Sequence, residues 1–77
     1  VYVKLTEERR KIFVRRLRKA YSAAGFRSAV DFADAVGVSK STAAGWLNGT
    51  REPSTQKMVD ICELLDVSAN WLLGIED

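Results

Sequence analysis

Seventy-seven residues, 47% of them apolar and 29% charged, suffice for one domain around a modest core and exclude a catalytic domain with a separate substrate lobe. No apolar run approaches the roughly 20 residues that cross a bilayer, and a single cysteine, Cys62, rules out an internal disulfide and gives no sign of an oxidising compartment; this points to a soluble, cytoplasmic protein with no membrane partner. The formal charge is only +2, yet nine of the twelve Lys and Arg fall in residues 1–27 while eight of the ten acids follow, so the chain presents either one positive face to a polyanion or a merely solvated basic helix.

Thr6, followed by Glu7 and Glu8, predicts a helix start, because a hydroxyl accepts from orphan amides and acids suit the positive end of the helix. That helix runs to about Ala24, with Phe13, Leu17, Ala20, Tyr21 and Ala24 on one buried stripe, and Gly25 stops it. Ser28 caps a short second helix through Val36, with Phe32, Ala33 and Val36 on its inner face and Gly37 at its end. Ser39 caps a third, Lys40 to Asn48, closed by Asn48-Gly49. Ser54 caps a fourth carrying Met58, Ile61, Cys62 and Leu65 and stopping near Asp66; Ser68 caps a fifth with Ala69, Trp71, Leu72 and Ile75. Period-two alternation occurs only in Val1 to Val3, so the fold class is all-α, a compact five-helix domain.

The informative stretch is 28–49, two short helices joined by Gly37, Val38 and Ser39. Glycine allows a positive φ at the bend, Val38 plugs the angle, and Ala33 is small where the helices cross. Ala43 and Trp46 then face inward, leaving Lys40, Ser41, Ala44 and Gly45 outward. One cation, one hydroxyl and two nearly absent side chains suit close approach to a nucleic-acid groove. A plain surface helix is the competing reading, but Gly45 costs it about 1 kcal/mol relative to alanine, which wants a reason.

In this order and at these intervals the chain resembles the lambda-repressor-like helix-turn-helix family, that of phage repressor DNA-binding domains and related bacterial regulators. The resemblance covers 16–74 and rests on Arg16-Leu17, Phe32-Ala33, Val36-Gly37-Val38-Ser39, Ser41-Thr42, Trp46-Leu47-Asn48-Gly49, Pro53-Ser54, Val67-Ser68 and Trp71-Leu72-Leu73-Gly74. It implies that Lys40, Ser41, Thr42, Ala44 and Gly45 read bases in the major groove, and that Ser28, Asn48, Thr50 and Arg51 hold backbone phosphates. Where relatives often carry a phosphate-binding glutamine just inside the second helix, this chain has Ala29. A plain helix terminator is the competing reading of Asn48. The resemblance further implies dimer contacts through Leu73 and Ile75, for which chain-end fraying is the competing reading. An inverted-repeat operator, a homodimer on DNA and a following C-terminal assembly domain belong to the same expectation.

Trp46 and Trp71, at helical spacing beside leucines, read as packing residues rather than base-stacking platforms. Cys62 lies on an apolar stripe in a chain without histidine, so no thiol nucleophile, metal site or cofactor is expected and the protein is not an enzyme. Residues 1–77 thus read as a single helix-turn-helix domain, and Val1 in place of methionine points to a piece excised from a longer regulator. Two functions stay open: sequence-specific binding of double-stranded DNA by a transcriptional regulator, a phage-type repressor at an operator, or a protein-binding module such as an antitoxin on the same fold.

Overall fold

The structure is a computed structural model that describes residues 5–75; the alternation of Val1 to Val3 lies outside them. Five helices follow in order, α1 Glu7–Ala23, α2 Ala29–Val36, α3 Lys40–Asn48, α4 Thr55–Leu65 and α5 Ala69–Leu72, and no strand forms among the described residues.

Each helix begins at the hydroxyl that the sequence marks. Thr6, Ser28, Ser39 and Ser54 accept from the amides of Arg9, Asp31, Thr42 and Lys57 at 3.2 Å, and Ser68 from that of Trp71 at 3.1 Å. Each such cap is worth about 1 kcal/mol over alanine. The ends are less uniform. Gly37 and Gly49 close α2 and α3 in the left-handed region at φ 84° and 85°, where a Cβ is penalised. α4 ends on Asp66 at φ 56°, a residue whose short polar side chain tolerates that conformation.

The core joins Phe13, Leu17 and Ala20 of α1 to Phe32, Ala33 and Val36 of α2, Ala43, Trp46 and Leu47 of α3, Ile61 and Leu65 of α4, and Leu72 of α5; among the described residues no polar one is buried. Phe32 is its aromatic hub, edge-on to Tyr21, Phe26 and Trp46, a geometry that suits the ring quadrupoles. α2 packs on α3, α1 crosses α3 and α5, and α4 closes the far side against α2 and α5. Trp46 is buried, as its spacing predicts, whereas Trp71 is half-buried with the Arg16 guanidinium 5.2 Å from its ring.

Two placements at helix ends differ from the sequence reading. Ala24 is exposed rather than on the buried stripe, because α1 ends at Ala23 and the chain turns, letting Phe26 fill the position against Tyr21. Ile75 lies past the end of α5 and is 63% exposed, while Leu73 is half-buried against the core.

The arginines of α1 are largely structural. Arg9 Nη1 donates to the carbonyls of Leu73 and Gly74 at 3.0 and 2.9 Å, Arg16 to that of Trp71, and Arg18 Nε to that of Leu47 at 2.7 Å. Arg10 pairs with Glu52 at 2.7 Å, and Glu52 also accepts from the Leu5 amide. Lys57 Nζ reaches the Val36 carbonyl at 3.3 Å. Cations therefore sit on the last carbonyls of α2, α3 and α5, where orphan acceptors and the negative end of the helix coincide.

Candidate nucleic-acid interface

The bend between α2 and α3 is built from few parts. Gly37 turns left-handed, and the amides of Gly37 and Val38 both donate to the Ala33 carbonyl at 2.8 and 3.0 Å, closing α2. Val38 packs half-buried against the core, plugging the angle as expected. Ser39 then opens α3 with a second contact besides its cap, its hydroxyl donating to Thr42 Oγ1 at 2.9 Å. Ala43, Trp46 and Leu47 anchor α3 inward, which fixes the opposite side toward solvent.

On that side Lys40 and Ser41 are exposed, and Thr42 and Ala44 are half-buried. Gly45 is not outward, as its spacing suggests, but buried, and its cover is Arg51. A Cβ built on Gly45 would meet Cγ, Cδ and Cβ of Arg51 at 2.7, 2.8 and 2.9 Å, inside the distance at which real carbons pack. The backbone holds Arg51 in place, since the amides of Thr50 and Arg51 donate to the Gly45 carbonyl at 2.9 and 3.1 Å. Its guanidinium ends at α3 too, with Nη1 donating to Thr42 Oγ1 at 3.3 Å. The helix therefore tolerates the roughly 1 kcal/mol propensity cost of Gly45 for room: the space a side chain would take is filled from the following loop.

Asn48 and Thr50 lie side by side at the end of α3. Asn48 Oδ1 accepts from both the amide and the hydroxyl of Thr50, at 3.0 and 2.7 Å. Gly49, not Asn48, takes the left-handed position that ends α3, and the turn leaves the Asn48 side-chain NH2 for an outside acceptor. Ser28 is half-buried at the start of α2, its oxygen taken by the Asp31 amide and its own O–H uncommitted. The sequence-derived residues thus split into a group at the start of α3 (Lys40, Ser41, Thr42), a group at its end (Asn48, Thr50), Ser28 one helix away, and Arg51 bridging the first two.

Sequence reasoning missed a cleft of about 530 Å³ beside the end of α3, lined by Glu7, Arg10, Lys11, Val14, Arg15, Arg18, Asn48 and Gly49. Four of its eight lining residues are cations, and Lys11 and Arg15 are exposed with no hydrogen bond or ion pair among the described residues. The spacing of Glu7, Lys11, Arg15 and Arg18 puts them on one side of α1. That signal was present in the sequence, but nothing there showed that this side faces Asn48. Among the described residues no group of three or more His, Cys, Asp or Glu could hold a metal ion, and no helix is long and apolar enough to cross a membrane.

Comparison with known proteins agrees with this geometry. A family model described as helix-turn-helix matches residues 14–72, most of the chain. The chain is 31% identical over 64 residues to the uncharacterized HTH-type transcriptional regulator YobD of Bacillus subtilis (strain 168), covering 83% of this chain and 54% of that protein. It is 41% identical over 44 residues to the HTH-type transcriptional regulator AnsR of the same organism, covering 57% of this chain and 38% of that protein. The chain therefore spans about half the length of the first relative and less of the second. No solved structure matches significantly. With the bend at Gly37, the cap at Ser39 and the anchored α3 all inside the matched span, the chain belongs to the lambda-repressor-like helix-turn-helix family.

Proposed function

We propose that this domain binds double-stranded DNA sequence-specifically, as the DNA-reading part of a transcriptional regulator of the phage-repressor type. The observation that carries the reading is the outer side of α3. Lys40 and Ser41 stand exposed on its first turn, Ala44 adds little bulk, and Ala43, Trp46 and Leu47 hold the other side in the core. A helix so arranged enters a major groove with its N-terminal residues nearest the base edges. Ser28, Asn48 and Thr50 are then within the edge that meets the phosphate backbone, and Lys11 and Arg15 in the neighbouring cleft extend that edge.

Two copies on an inverted repeat, with half-site centres about one helical turn or roughly 34 Å apart, complete the reading. An electrophoretic shift against genomic fragments at low and moderate salt tests it. One fragment should stay bound at moderate salt while bulk DNA is released, and Ser41→Ala or Lys40→Ala should weaken that fragment by about 1 to 3 kcal/mol and bulk DNA much less. Retention of no fragment above bulk DNA at any salt sinks the reading and leaves the protein-binding alternative.

A further inference from the structure

We infer that Arg51 is a base-reading residue, taking a guanine in the major groove from its position across α3, and that Gly45 is the space that lets it lie there. The inference rests on the major-groove placement of α3 proposed above. The family resemblance would give Arg51 a phosphate, as a long cation on the loop before Pro53. Its conformation supports a different partner. The aliphatic stem lies on Gly45, with three of its carbons inside 3 Å of where a Cβ would stand, and the guanidinium lies at Thr42, one turn back toward the start of the helix. The charged end is thus carried away from the loop and onto the strip that also holds Ser41 and Ala44.

Three features hold it there. The Arg51 amide is bonded to the Gly45 carbonyl, so the stem starts at the helix surface. Thr42 Oγ1, itself fixed by the Ser39 hydroxyl at 2.9 Å, accepts from Nη1. No carboxylate pairs with Arg51 among the described residues: the ion pairs there join Arg10 to Glu52 and Lys57 to Asp60. The guanidinium therefore keeps its charge and most of its donors. A planar fork of N–H groups matches O6 and N7 of guanine, the two adjacent acceptors that base presents in the major groove, and no other base offers that pair. Thr42 is on this account a positioning residue. Gly45 is one as well: any side chain there would evict the stem.

The test is selection of residues 1–77 and of single variants against a library of randomised DNA duplexes, reading base frequency at each position. The unaltered chain should select a guanine at one position of each half-site. Arg51→Ala should erase that guanine preference, costing about ten-fold or more on the selected duplex, with the preferences set by Lys40 and Ser41 intact. Arg51→Lys should erase most of it despite keeping the charge. Gly45→Ala should erase the same preference and no other, with circular dichroism confirming that the variant is folded; should it not fold, Thr42→Val provides the same displacement from the other end of the side chain. An Arg51→Ala variant that binds all duplexes equally more weakly, with every base preference retained, overturns the inference while Ser41→Ala still altering preference would leave the groove placement standing. A chain that selects no sequence at all brings down both.

Discussion

Arg18 Nε donates to the Leu47 carbonyl at 2.7 Å, tying the middle of α1 to the last turn of α3. Leu47 O is one of the four carbonyls that a helix end leaves without an internal partner. The contact therefore satisfies an orphan acceptor and puts a cation at the negative end of α3. Because Arg18 is otherwise exposed, its contribution falls below the usual range for a charged hydrogen bond, to that of an ordinary one. Arg18→Ala should lower stability by about 1 kcal/mol, which for a domain of this size moves the thermal midpoint down by about 4–8 °C. Calorimetry checks this; an unchanged midpoint would mean that solvent replaces the bond at no cost.

Lys11 and Arg15 line the basic cleft next to Asn48 and are free to meet phosphate. Replacing either by alanine should reduce the slope of log affinity against log salt by about one, and do so equally on selected and random duplexes. Stability should hardly move. A change in base preference in either variant would place this side of α1 in the groove instead of on the backbone.

The apolar residues after α5 are not equivalent. Leu73 packs on the core, so Leu73→Glu should unfold the domain before it reports on any dimer, whereas Ile75 is exposed and Ile75→Glu should leave the fold intact. One such residue offers far less than the roughly 800 Å² per partner of a standard interface. Residues 1–77 should accordingly sediment as a monomer without DNA. A tight dimer dissolved by Ile75→Glu would assign the interface; a tight dimer indifferent to it would place the interface elsewhere.

Burial pushes the Cys62 thiol above its ordinary pKa, through desolvation of the thiolate. The folded state therefore favours the protonated thiol, and the stability that this contributes is complete below the pKa of the unfolded thiol and is lost as pH rises through the folded one. The urea midpoint should fall more between about pH 8 and pH 10 in the natural chain than in Cys62→Ala. At about pH 8 a thiol reagent should label the folded chain more slowly than the chain in urea.

Helix starts and most of the core were legible in the sequence because their causes are local. Thr6, Ser28, Ser39, Ser54 and Ser68 each bond an amide three residues on, and buried residues repeat at three and four within single helices. What stayed hidden acts across the chain. The acceptors of Arg9 and Arg18 lie 64, 65 and 29 residues away and are backbone carbonyls, which every residue carries and no pattern marks. Gly45 misled for the same reason. Its position on α3 read as outward, and only the path of the following loop shows that Arg51 occupies the space above it. The outer strip of α3 could thus be located from spacing, while its actual surface depends on a residue outside the helix.

Arg9 Nη1 on the carbonyls of Leu73 and Gly74, together with the close approach of Gly74 to Ile12, brings the first turns of α1 against the last described residues. Topologically the described chain is almost a ring. Joining residue 75 to residue 5 would require a linker running back along the first turns of α1, and its closure entropy rises slowly with its length. A break between Ala24 and Gly25, both exposed and outside any helix, would leave all five helices and their hydroxyl caps whole and interrupt only the turn in which the Gly25 and Phe26 amides close α1. A circular permutant beginning at Gly25 should therefore assemble the same core around Phe32, with α3 unchanged and α1 synthesised last, so that α2 and α3 emerge before the α1 scaffold that holds them.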